Sequence, residues 1–293
     1  MTVRIAHPYS AEHLPWLRGN LHAHTTLSDG ALEPQALVDA YAALGHDFLM
    51  ISDHDHFTKV RALDGRGMAL IPGNEITAYG VHLLHVNAHR RISPDKDRQR
   101  IIDAINTDGG FCVVNHPNWL EQYNHCDQEL LHTWQDYTGI EIYNGDIRGA
   151  SGSPYAMDRW DMVLASGRRV WGFANDDAHT AREHGLGWNS VQCDSRKPAH
   201  IVRALRAGRF CASTGVAITA VHVDGATIRI ETDNAQRIHT VTDLGRVVAT
   251  CDAAAAEFTV SEDFPYTYVR FECHGPRDYM GWTQPFFVER AGA

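Results

Sequence analysis

The sequence predicts an α/β fold, a barrel of repeated strand–helix units followed by a small antiparallel β domain. Up to about residue 212, short apolar runs alternate with segments of helical spacing, which is typical of βα units and mainly parallel strands. After Phe210, apolar and polar residues alternate one by one, which is typical of antiparallel strands with one face in water. We therefore expect a barrel domain over residues 1–212 and a β-sandwich-like extension over residues 213–293.

The barrel strands are expected where the chain is continuously apolar. Strands that are covered on both faces read as uninterrupted apolar runs, as in a barrel core ringed by helices. Such runs lie at residues 48–51, 69–71, 111–114, 140–143 and 170–173. Helical spacing marks residues 34–44, 98–106 and 154–165, and the first and last of these begin with proline, which suits a first helical turn.

The C-terminal segment has the period of two that a half-buried strand requires. Ile228 and Ile230 are separated by Arg229, and Val269 and Phe271 are likewise separated by a charged residue. Several such runs with turn residues between them predict a small antiparallel sandwich packed on the barrel.

Composition sets limits on the function. Of the 293 residues, 44% are hydrophobic and 21% are charged, which is enough for an ordinary globular core. The 26 basic and 36 acidic residues give a net charge of −10, which argues against extended binding to nucleic acids or anionic membranes. No apolar run approaches about 18 residues and no export signal is visible, so we expect a cytoplasmic protein whose six cysteines are reduced structural thiols.

Two pairs of candidate metal ligands are spaced two residues apart. His22 and His24 follow a strand-like stretch, and residues i and i+2 on a strand point to the same face. The same spacing recurs in Asp177 and His179 near the other end of the series. One pair alone is a weak indication in a chain with 19 histidines, but two pairs at strand ends indicate a metal site.

Three more candidates, His54, Glu75 and His116, each come directly after an apolar run. The carboxyl ends of parallel barrel strands meet at one rim, where the βα loops open and active sites form. Asp29, in Ser28-Asp29-Gly30, is by itself typical of a turn. Because all the candidates occupy the same position in successive units, the sequence predicts bound metal.

These motifs, taken in order, resemble the PHP (polymerase and histidinol phosphatase) domain of the amidohydrolase superfamily. The matching motifs are His22-x-His24, Asp29-Gly30, Ser52-Asp53-His54, Gly73-Asn74-Glu75, Asn115-His116-Pro117 and Asp177-x-His179. The resemblance covers about residues 16–212. The remaining segment is similar to bacterial members with a C-terminal β extension, which are usually described as metal-dependent phosphoesterases and stand close to the carbaryl hydrolase-like branch.

The resemblance implies a distorted seven-stranded, TIM-like (β/α) barrel that binds two or three divalent ions, Mn, Zn or Fe. It implies that one ion is held by His22, His24, Glu75 and Asp177. It implies that a second ion is held by Glu75, His116 and a histidine that follows Glu75. A third ion would be held by Asp29, His54 and His179.

Two histidines after Glu75 could provide this ligand of the second ion. His82 and His85 both lie on the next strand, but they face opposite sides of it, so both cannot enter one site. His82 is favoured, because the sequence His-Leu-Leu resembles the usual pattern of the family.

The ligand set itself indicates hydrolysis. Imidazole and carboxylate ligands without thiolate fit Zn, Mn or Fe(II) in an open site. Two ions that share a carboxylate lower the pKa of a bound water and clamp the attacking and leaving oxygens of a displacement. The sequence has no G-x-S-x-G elbow or P-loop. We therefore expect a metal-bridging hydroxide to attack phosphorus, with Glu75, Asp177 and His179 as the catalytic residues.

The residues that would bind the substrate are less well defined. Arg148 and Arg182 lie in rim loops, where each is either part of a bidentate phosphate clamp or a solvated loop arginine. Asn118 and Trp119 follow the His-Pro turn and either line the pocket or pack against the rim.

Three functions stay open at this point. The first is hydrolysis of a small phosphate ester, such as a nucleotide or a sugar phosphate. The second is hydrolysis of a carboxylic or carbamate ester, which a shortage of cationic anchors in the pocket would favour. The third is a metal-bound scaffold without turnover, although a site that has lost its function has no physical need for so many clustered polar groups.

Overall fold

A computed structural model describes residues 3–290 of the chain. Its helices are α1 (Pro34–Ala43), α2 (Arg98–Thr107), α3 (Gln128–Thr133), α4 (Met157–Ala165) and α5 (Pro198–Arg206). The strands of the first part of the chain are β1 (Val3–Ala6), β2 (Trp16–Asn20), β3 (Phe48–Met50), β4 (Ala69–Ile71), β5 (Gly73–Ile76), β6 (Leu83–Val86), β7 (Phe111–Val114), β8 (Gly139–Asn144), β9 (Trp171–Asn175), β10 (Trp188–Gln192) and β11 (Phe210–Ser213). The later strands are β12 (Ile218–Asp224), β13 (Thr227–Thr232), β14 (Arg237–Thr242), β15 (Arg246–Cys251), β16 (Ala255–Thr259), β17 (Tyr268–His274), β18 (Met280–Trp282) and β19 (Phe286–Arg290).

Each of the five apolar runs overlaps a strand. The three predicted helices also form, and one of them begins later than predicted. α1 and α2 begin at Pro34 and Arg98, as the spacing predicts. α4 begins at Met157 rather than at position 154. The reason is local, because the carbonyl of Pro154 accepts a hydrogen bond of 2.9 Å from the Asn144 N–H and so holds this segment beside β8.

The strands of the barrel part lie in two sheets rather than in one closed ring. β2, β3 and β4 pair in parallel, and β10 and β11 extend this sheet as antiparallel strands. The second sheet runs from β5 to β9, with β6 antiparallel to both of its neighbours. Isolated bridges join Ala23 to Ala178 and His54 to Glu75 at the ends of the sheets. The mixed α/β class is confirmed, whereas the described residues do not form the expected closed seven-stranded ladder.

Two local features interrupt the ladder. Pro72 separates β4 from β5 and has no N–H to donate. Between β2 and β9, buried amides replace strand pairing: Asn20 Oδ1 accepts from the Asp176 N–H at 3.0 Å, and Asn175 Oδ1 accepts from the Leu21 N–H at 3.2 Å. These bonds satisfy backbone groups that a strand neighbour would otherwise satisfy, so the seam between the two sheets stays tight.

The C-terminal strands form two antiparallel layers, as the alternating pattern predicts. β12, β13 and β16 make one sheet, and β14, β15, β17, β18 and β19 join the sheet that contains β11, because β18 pairs with β11. Buried side chains from both layers pack together, among them Ile228, Ile230, Val269 and Phe271. The expected boundary at residue 212 falls inside β11, so the division into two domains stays a prediction.

A buried ion pair fixes the C-terminal strands to α4. Arg270 on β17 binds Asp161 through two bonds, Nε to Oδ1 at 2.8 Å and NH2 to Oδ2 at 2.7 Å. The Tyr268 hydroxyl also donates to Asp161 Oδ1 at 2.7 Å, and the Trp160 ring lies 5.3 Å from the guanidinium carbon.

Within residues 3–290 the structure contains no helix that is both long and apolar enough to cross a membrane.

Candidate metal centre

The candidate ligands converge at one end of the two sheets. Most lie at or near a strand end: His22 and His24 after β2, His54 after β3, Glu75 in β5, His116 after β7, and Asp177 and His179 after β9. His82 comes just before β6 rather than on it, and Asp29 lies in the turn that precedes α1. Strands of both sheets therefore contribute side chains to one centre.

Glu75 is the carboxylate at the middle of this centre, and it is fully buried. Its Oε1 lies 3.3 Å from His22 Nε2, 3.2 Å from His82 Nδ1 and 3.4 Å from His116 Nε2. Its Oε2 lies 2.8 Å from His54 Nδ1. A carboxylate that faces imidazoles from both of its oxygens is placed to be shared between two ions.

Asp177 is the second buried carboxylate. Its Oδ1 lies 3.0 Å from Nε2 of both His22 and His24, and its Oδ2 lies 3.8 Å from His116 Nε2. Both Asp177 and His116 have a positive φ, 53° and 27° respectively. Such backbone strain costs of the order of 1 kcal/mol for a non-glycine residue, and it is common where a functional side chain must be aimed.

Asp29 organises a third group at the more open side of the centre. Its carboxylate lies 3.3 Å from His54 Nε2, 3.5 Å from His179 Nε2 and 3.8 Å from His24 Nδ1. One ligand atom from each of these four residues lies within 4.8 Å of the others. The structure thus brings all nine predicted ligands together, and their roles as ligands stay predictions.

The donor set fits divalent cations. Buried atoms in this centre come close to one another without a hydrogen bond, among them His22 Nε2, His82 Nδ1 and Glu75 Oε2. Imidazole nitrogens and carboxylate oxygens whose lone pairs point at each other need a proton or a cation between them. Nitrogen and oxygen ligands without thiolate are those of open zinc, manganese and iron sites.

Electrostatics keeps the two buried carboxylates ionised. Burial disfavours the protonated form of His22, but the carboxylates of Asp177 and Glu141 outweigh it, and the pKa of His22 is raised well above its usual value. Burial also disfavours the ionised forms of Asp177 and Glu75, yet the imidazole of His22 holds the pKa of both carboxyls well below the usual range. An ionised carboxylate is the form that binds a metal ion.

Glu141 contacts the candidate ligands, although it is not among the site residues predicted from the sequence. Its Oε1 lies 2.7 Å from His22 Nδ1 and accepts a bond of 2.8 Å from the Asn175 amide. Its Oε2 accepts from the backbone N–H of His116 and from the side chain of Asn144, both at 3.0 Å. A charged residue inside the apolar run 140–143 was the available indication, since a fully buried carboxylate requires such partners.

The structure separates the two candidate histidines, because His82 lies just before β6 and His85 lies within it. His82 Nδ1 lies 3.2 Å from Glu75, whereas the fully buried His85 lies away from the centre with its Nε2 3.3 Å from Asp108 Oδ2. The placement agrees with the preference for His82 as the strand ligand.

His125 is an additional imidazole beside this centre that the sequence analysis did not identify. It lies in the loop between β7 and α3, away from any strand end, so the strand-end rule does not reach it. Its ring centre is 4.7 Å from that of His82 and 4.9 Å from that of His116. Burial lowers the pKa of His125 to about 2, which leaves the imidazole neutral.

Most of the predicted substrate-binding residues do not line the pocket over the candidate ligands. The Asn118 amide donates to the Tyr155 carbonyl and to Asp158, and it accepts from Arg159 Nε at 2.7 Å, so its polar atoms are used within the rim. The structure does not bring Asn118 into the pocket over the candidate ligands, whereas Trp119 does line that pocket. The interpretation of Asn118 as a rim-packing residue fits this placement.

The two arginines differ in position. Arg148 lies in a short 3-10 turn (Asp146–Gly149) next to the Tyr143 phenol, which raises the pKa of the guanidinium. Arg182 lies on an exposed turn after His179, and it does not line the pocket over the candidate ligands.

Two neighbouring cavities open beside the centre. A pocket of about 180 Å³ lies directly over the ligands and is also lined by Trp119, Asp146 and Ile147. A larger cavity of about 610 Å³ shares Ile147 with it and is lined by Arg148, Tyr155 and residues of the C-terminal part, including Arg277 in the turn between β17 and β18. The smaller space suits a phosphoryl or carbonyl group, and the larger one suits the rest of a substrate.

Parts of this chain match a family model and two curated relatives. A family model described as PHP-associated (PHP_C) matches residues 163–210. The 5'-3' exoribonuclease Rnm of Escherichia coli (strain K12) is 38% identical over 74 residues, which are 23% of this chain and 25% of that protein. The same enzyme of Salmonella typhimurium matches equally, so the chain spans about a quarter of the length of the curated relatives it matches.

The fold also has a solved counterpart. A two-domain protein from Bacteroides vulgatus ATCC 8482, described as containing a predicted PHP-like metal-dependent phosphoesterase, superposes with a TM-score of 0.57 at 17% identity. The match covers 99% of this chain and 91% of that protein, so the two share a fold through the barrel part and the C-terminal strands.

Proposed function

With the resemblance to the PHP family confirmed, we propose that this chain is a metal-dependent phosphoesterase that hydrolyses a small phosphate ester. The observation that carries the proposal is the position of Glu75, a fully buried carboxylate that faces the imidazoles of His22, His54, His82 and His116.

Two or three Mn, Zn or Fe ions would be held in this centre. One would bind His22, His24, Glu75 and Asp177, a second would bind Glu75, His82 and His116, and a third would bind Asp29, His54 and His179. When bound, such ions lower the pKa of a coordinated water and neutralise the charge that develops on the reacting oxygens. This chemistry needs no covalent nucleophile from the protein.

The residues of the chain have distinct tasks in this proposal. Glu75 and Asp177 are ionised at neutral pH and supply negative charge to the cations. His179, whose Nδ1 lies 2.8 Å from the Asp177 carbonyl oxygen, presents its Nε2 toward Asp29 at the open side, where a substrate enters. Cys126 and Cys211 do not compete as nucleophiles, because burial raises the pKa of each thiol to about 12.

The cavities support a small substrate. The pocket of about 180 Å³ has room for the group that is cleaved and little else. The adjoining cavity of about 610 Å³ contains Arg148 and Arg277, which would bind an anionic or polar remainder of the ester. Arg148 is therefore the better substrate-binding candidate of the two predicted arginines.

Hydrolysis of a carboxylic or carbamate ester is the second candidate. Among residues 3–290, no arginine or lysine lines the pocket over the candidate ligands, and a neutral ester has no need of such a cation. The same centre could serve attack on a carbonyl carbon, so substrate comparison must separate the two functions.

The test is release of inorganic phosphate from a panel of nucleotides and sugar phosphates, and release of mononucleotides from short RNA with a 5'-phosphate, by protein purified with Mn and by a chelated control. The RNA is included because the curated relatives are exoribonucleases. Chelator-sensitive release that is greatest for a small ester supports the proposal. Release only from RNA would overturn the substrate class. No release, together with chelator-sensitive hydrolysis of p-nitrophenyl carboxylates, would support the second candidate, and no turnover of either kind would support a scaffold.

A further inference from the structure

We propose that Asp146 is the general acid of the hydrolysis, the residue that gives a proton to the leaving oxygen of the ester. The inference rests on the proposed function, because it concerns the same reaction, and it adds a residue that lies outside the sequence motifs. Within residues 3–290, Asp146 is the one titratable residue in the lining of the pocket over the candidate ligands that is not itself a candidate ligand.

The Asp146 carboxyl group is available to contact a substrate. It belongs to none of the three groups of side chains whose ligand atoms lie within 4.8 Å of one another. In the described part of the chain, no hydrogen bond or ion pair occupies this carboxyl group, although it is half-buried. A half-buried acid without a partner, in a pocket beside a metal centre, is a candidate for proton transfer to a bound molecule.

Asp146 lies at the junction of the two neighbouring cavities. It lines the pocket of about 180 Å³ that would hold the cleaved phosphoryl group, whereas Arg148 lines the cavity of about 610 Å³ that would hold the alcohol part. Ile147, between them in sequence, lines both cavities. The attacking and leaving oxygens of a phosphoryl transfer lie roughly in line on opposite sides of phosphorus. With water activated at the candidate ligands, the leaving oxygen therefore faces the junction, where Asp146 is the neighbouring acid.

The backbone holds Asp146 at this junction. The Gly145 N–H donates to the Asn175 carbonyl and the Asp146 N–H donates to the Asp176 carbonyl, both at 2.9 Å. A Cβ atom at position 145 would lie 2.7 Å from the Asp176 carbonyl oxygen, so this close approach requires glycine. The turn after β8 is thus fixed against the end of β9, from which Asp177 extends into the centre.

The surroundings of Asp146 favour its protonated form. Burial raises the pKa of Asp146, and the carboxylates of Asp177 and Glu183 add to this rise, whereas His179 and His116 reduce it. A raised pKa increases the protonated fraction near neutral pH, and the protonated carboxyl group is the form that acts as an acid.

The proposed step balances as follows. A water molecule that has lost one proton forms the new P–O bond, and the bond between phosphorus and the leaving oxygen breaks, with its electron pair remaining on that oxygen. The O–H bond of the Asp146 carboxyl group breaks at the same time, and its proton passes to the leaving oxygen. The products are the alcohol, inorganic phosphate and the Asp146 carboxylate, which regains a proton from water.

The experiment compares two esters that differ in their need for this proton. p-Nitrophenyl phosphate has an acidic leaving group that departs as the anion, whereas an alkyl ester such as a sugar phosphate has a basic leaving oxygen. Steady-state rates on both esters and bound-metal content are measured for the full-length wild type, Asp146→Asn and Asp146→Ala. Asp224→Asn, an exposed aspartate at the end of β12, is the matched control.

We expect both Asp146 variants to lose about 100-fold or more in kcat on the alkyl ester, while their rate on p-nitrophenyl phosphate and their metal content stay close to those of the wild type. Equal losses on the two esters, or loss of bound metal, would overturn the inference and assign Asp146 to the metal centre or to folding. Unchanged rates on both esters would also overturn it. In each of these cases a wild type with chelator-sensitive phosphate release keeps the proposed function, whereas a wild type that cleaves neither ester overturns both.

Discussion

The Nδ1 atom of His22 lies 2.7 Å from Oε1 of Glu141, on the opposite edge of the ring from Glu75 and Asp177. Glu141 therefore orients the imidazole and increases its basicity, as outer carboxylates do for histidine ligands of metal ions. We predict that Glu141→Gln lowers the affinity for the ion held by His22 by about 10- to 100-fold. Equilibrium dialysis with metal analysis measures this, with the exposed Glu257→Gln on β16 as control. Equal affinities in all three proteins would contradict the role of Glu141.

Asp177 is predicted to be indispensable for turnover and dispensable for folding. Its carboxylate contacts His22 and His24 at 3.0 Å, so Asp177→Ala removes one ligand and leaves the strand framework unchanged. Loss of several kcal/mol of charge stabilisation corresponds to a decrease in kcat of about a thousandfold or more. Circular dichroism and thermal unfolding provide the folding control. An unchanged rate would eliminate Asp177 from catalysis.

The Asp161–Arg270 pair is predicted to stabilise the attachment of the C-terminal strands. Both side chains are buried, so Asp161→Ala leaves the buried guanidinium with Glu272 Oε2, at 3.1 Å, as its remaining carboxylate partner, and should lower the free energy of unfolding by about 3 kcal/mol. The exposed pair Arg229–Glu231 is the comparison, and Glu231→Gln should cost less than about 1 kcal/mol. Denaturant titration measures both. A loss of similar size in the two variants would show that burial does not determine the effect.

His46 is predicted to make the protein sensitive to acid. It is buried with its ring against Tyr41, and this burial lowers its pKa to about 3. Since the unfolded histidine has a pKa near 6.5, the unfolded state binds the extra proton, and stability is lost as pH falls from about 6.5 toward 3.

The matched variant is His46→Phe, which keeps an aromatic ring and cannot be protonated. Between pH 7.5 and pH 4.5, the unfolding free energy of the wild type should decrease by about 2 to 3 kcal/mol more than that of His46→Phe. Urea titration at the two pH values measures the difference. A gap that does not depend on pH would contradict the predicted protonation.

The candidate metal centre could be predicted from the sequence because most of its residues follow predicted strands. Residues such as His54 and His116 come directly after apolar runs, and strand ends at one edge bring them together. The rule fails for His125, whose position depends on the path of a loop, and for Glu141, whose partners lie at the ends of four different strands. Pairing across sheets also escaped prediction, since the seam between β2 and β9 is held by the Asn20 and Asn175 side chains rather than by a repeating pattern.

The most direct test of the metal-dependent hydrolysis is the variant Glu75→Gln, with bound metal and chelator-sensitive phosphate release measured on the same preparations. One carboxylate oxygen of Glu75 faces His22 and His82, and the other faces His54. We therefore predict that the variant loses at least one bound ion and almost all phosphate release, while its circular dichroism spectrum stays as in the wild type. Full activity with wild-type metal content in Glu75→Gln would contradict the proposal that Glu75 is the shared ligand of a hydrolytic metal centre.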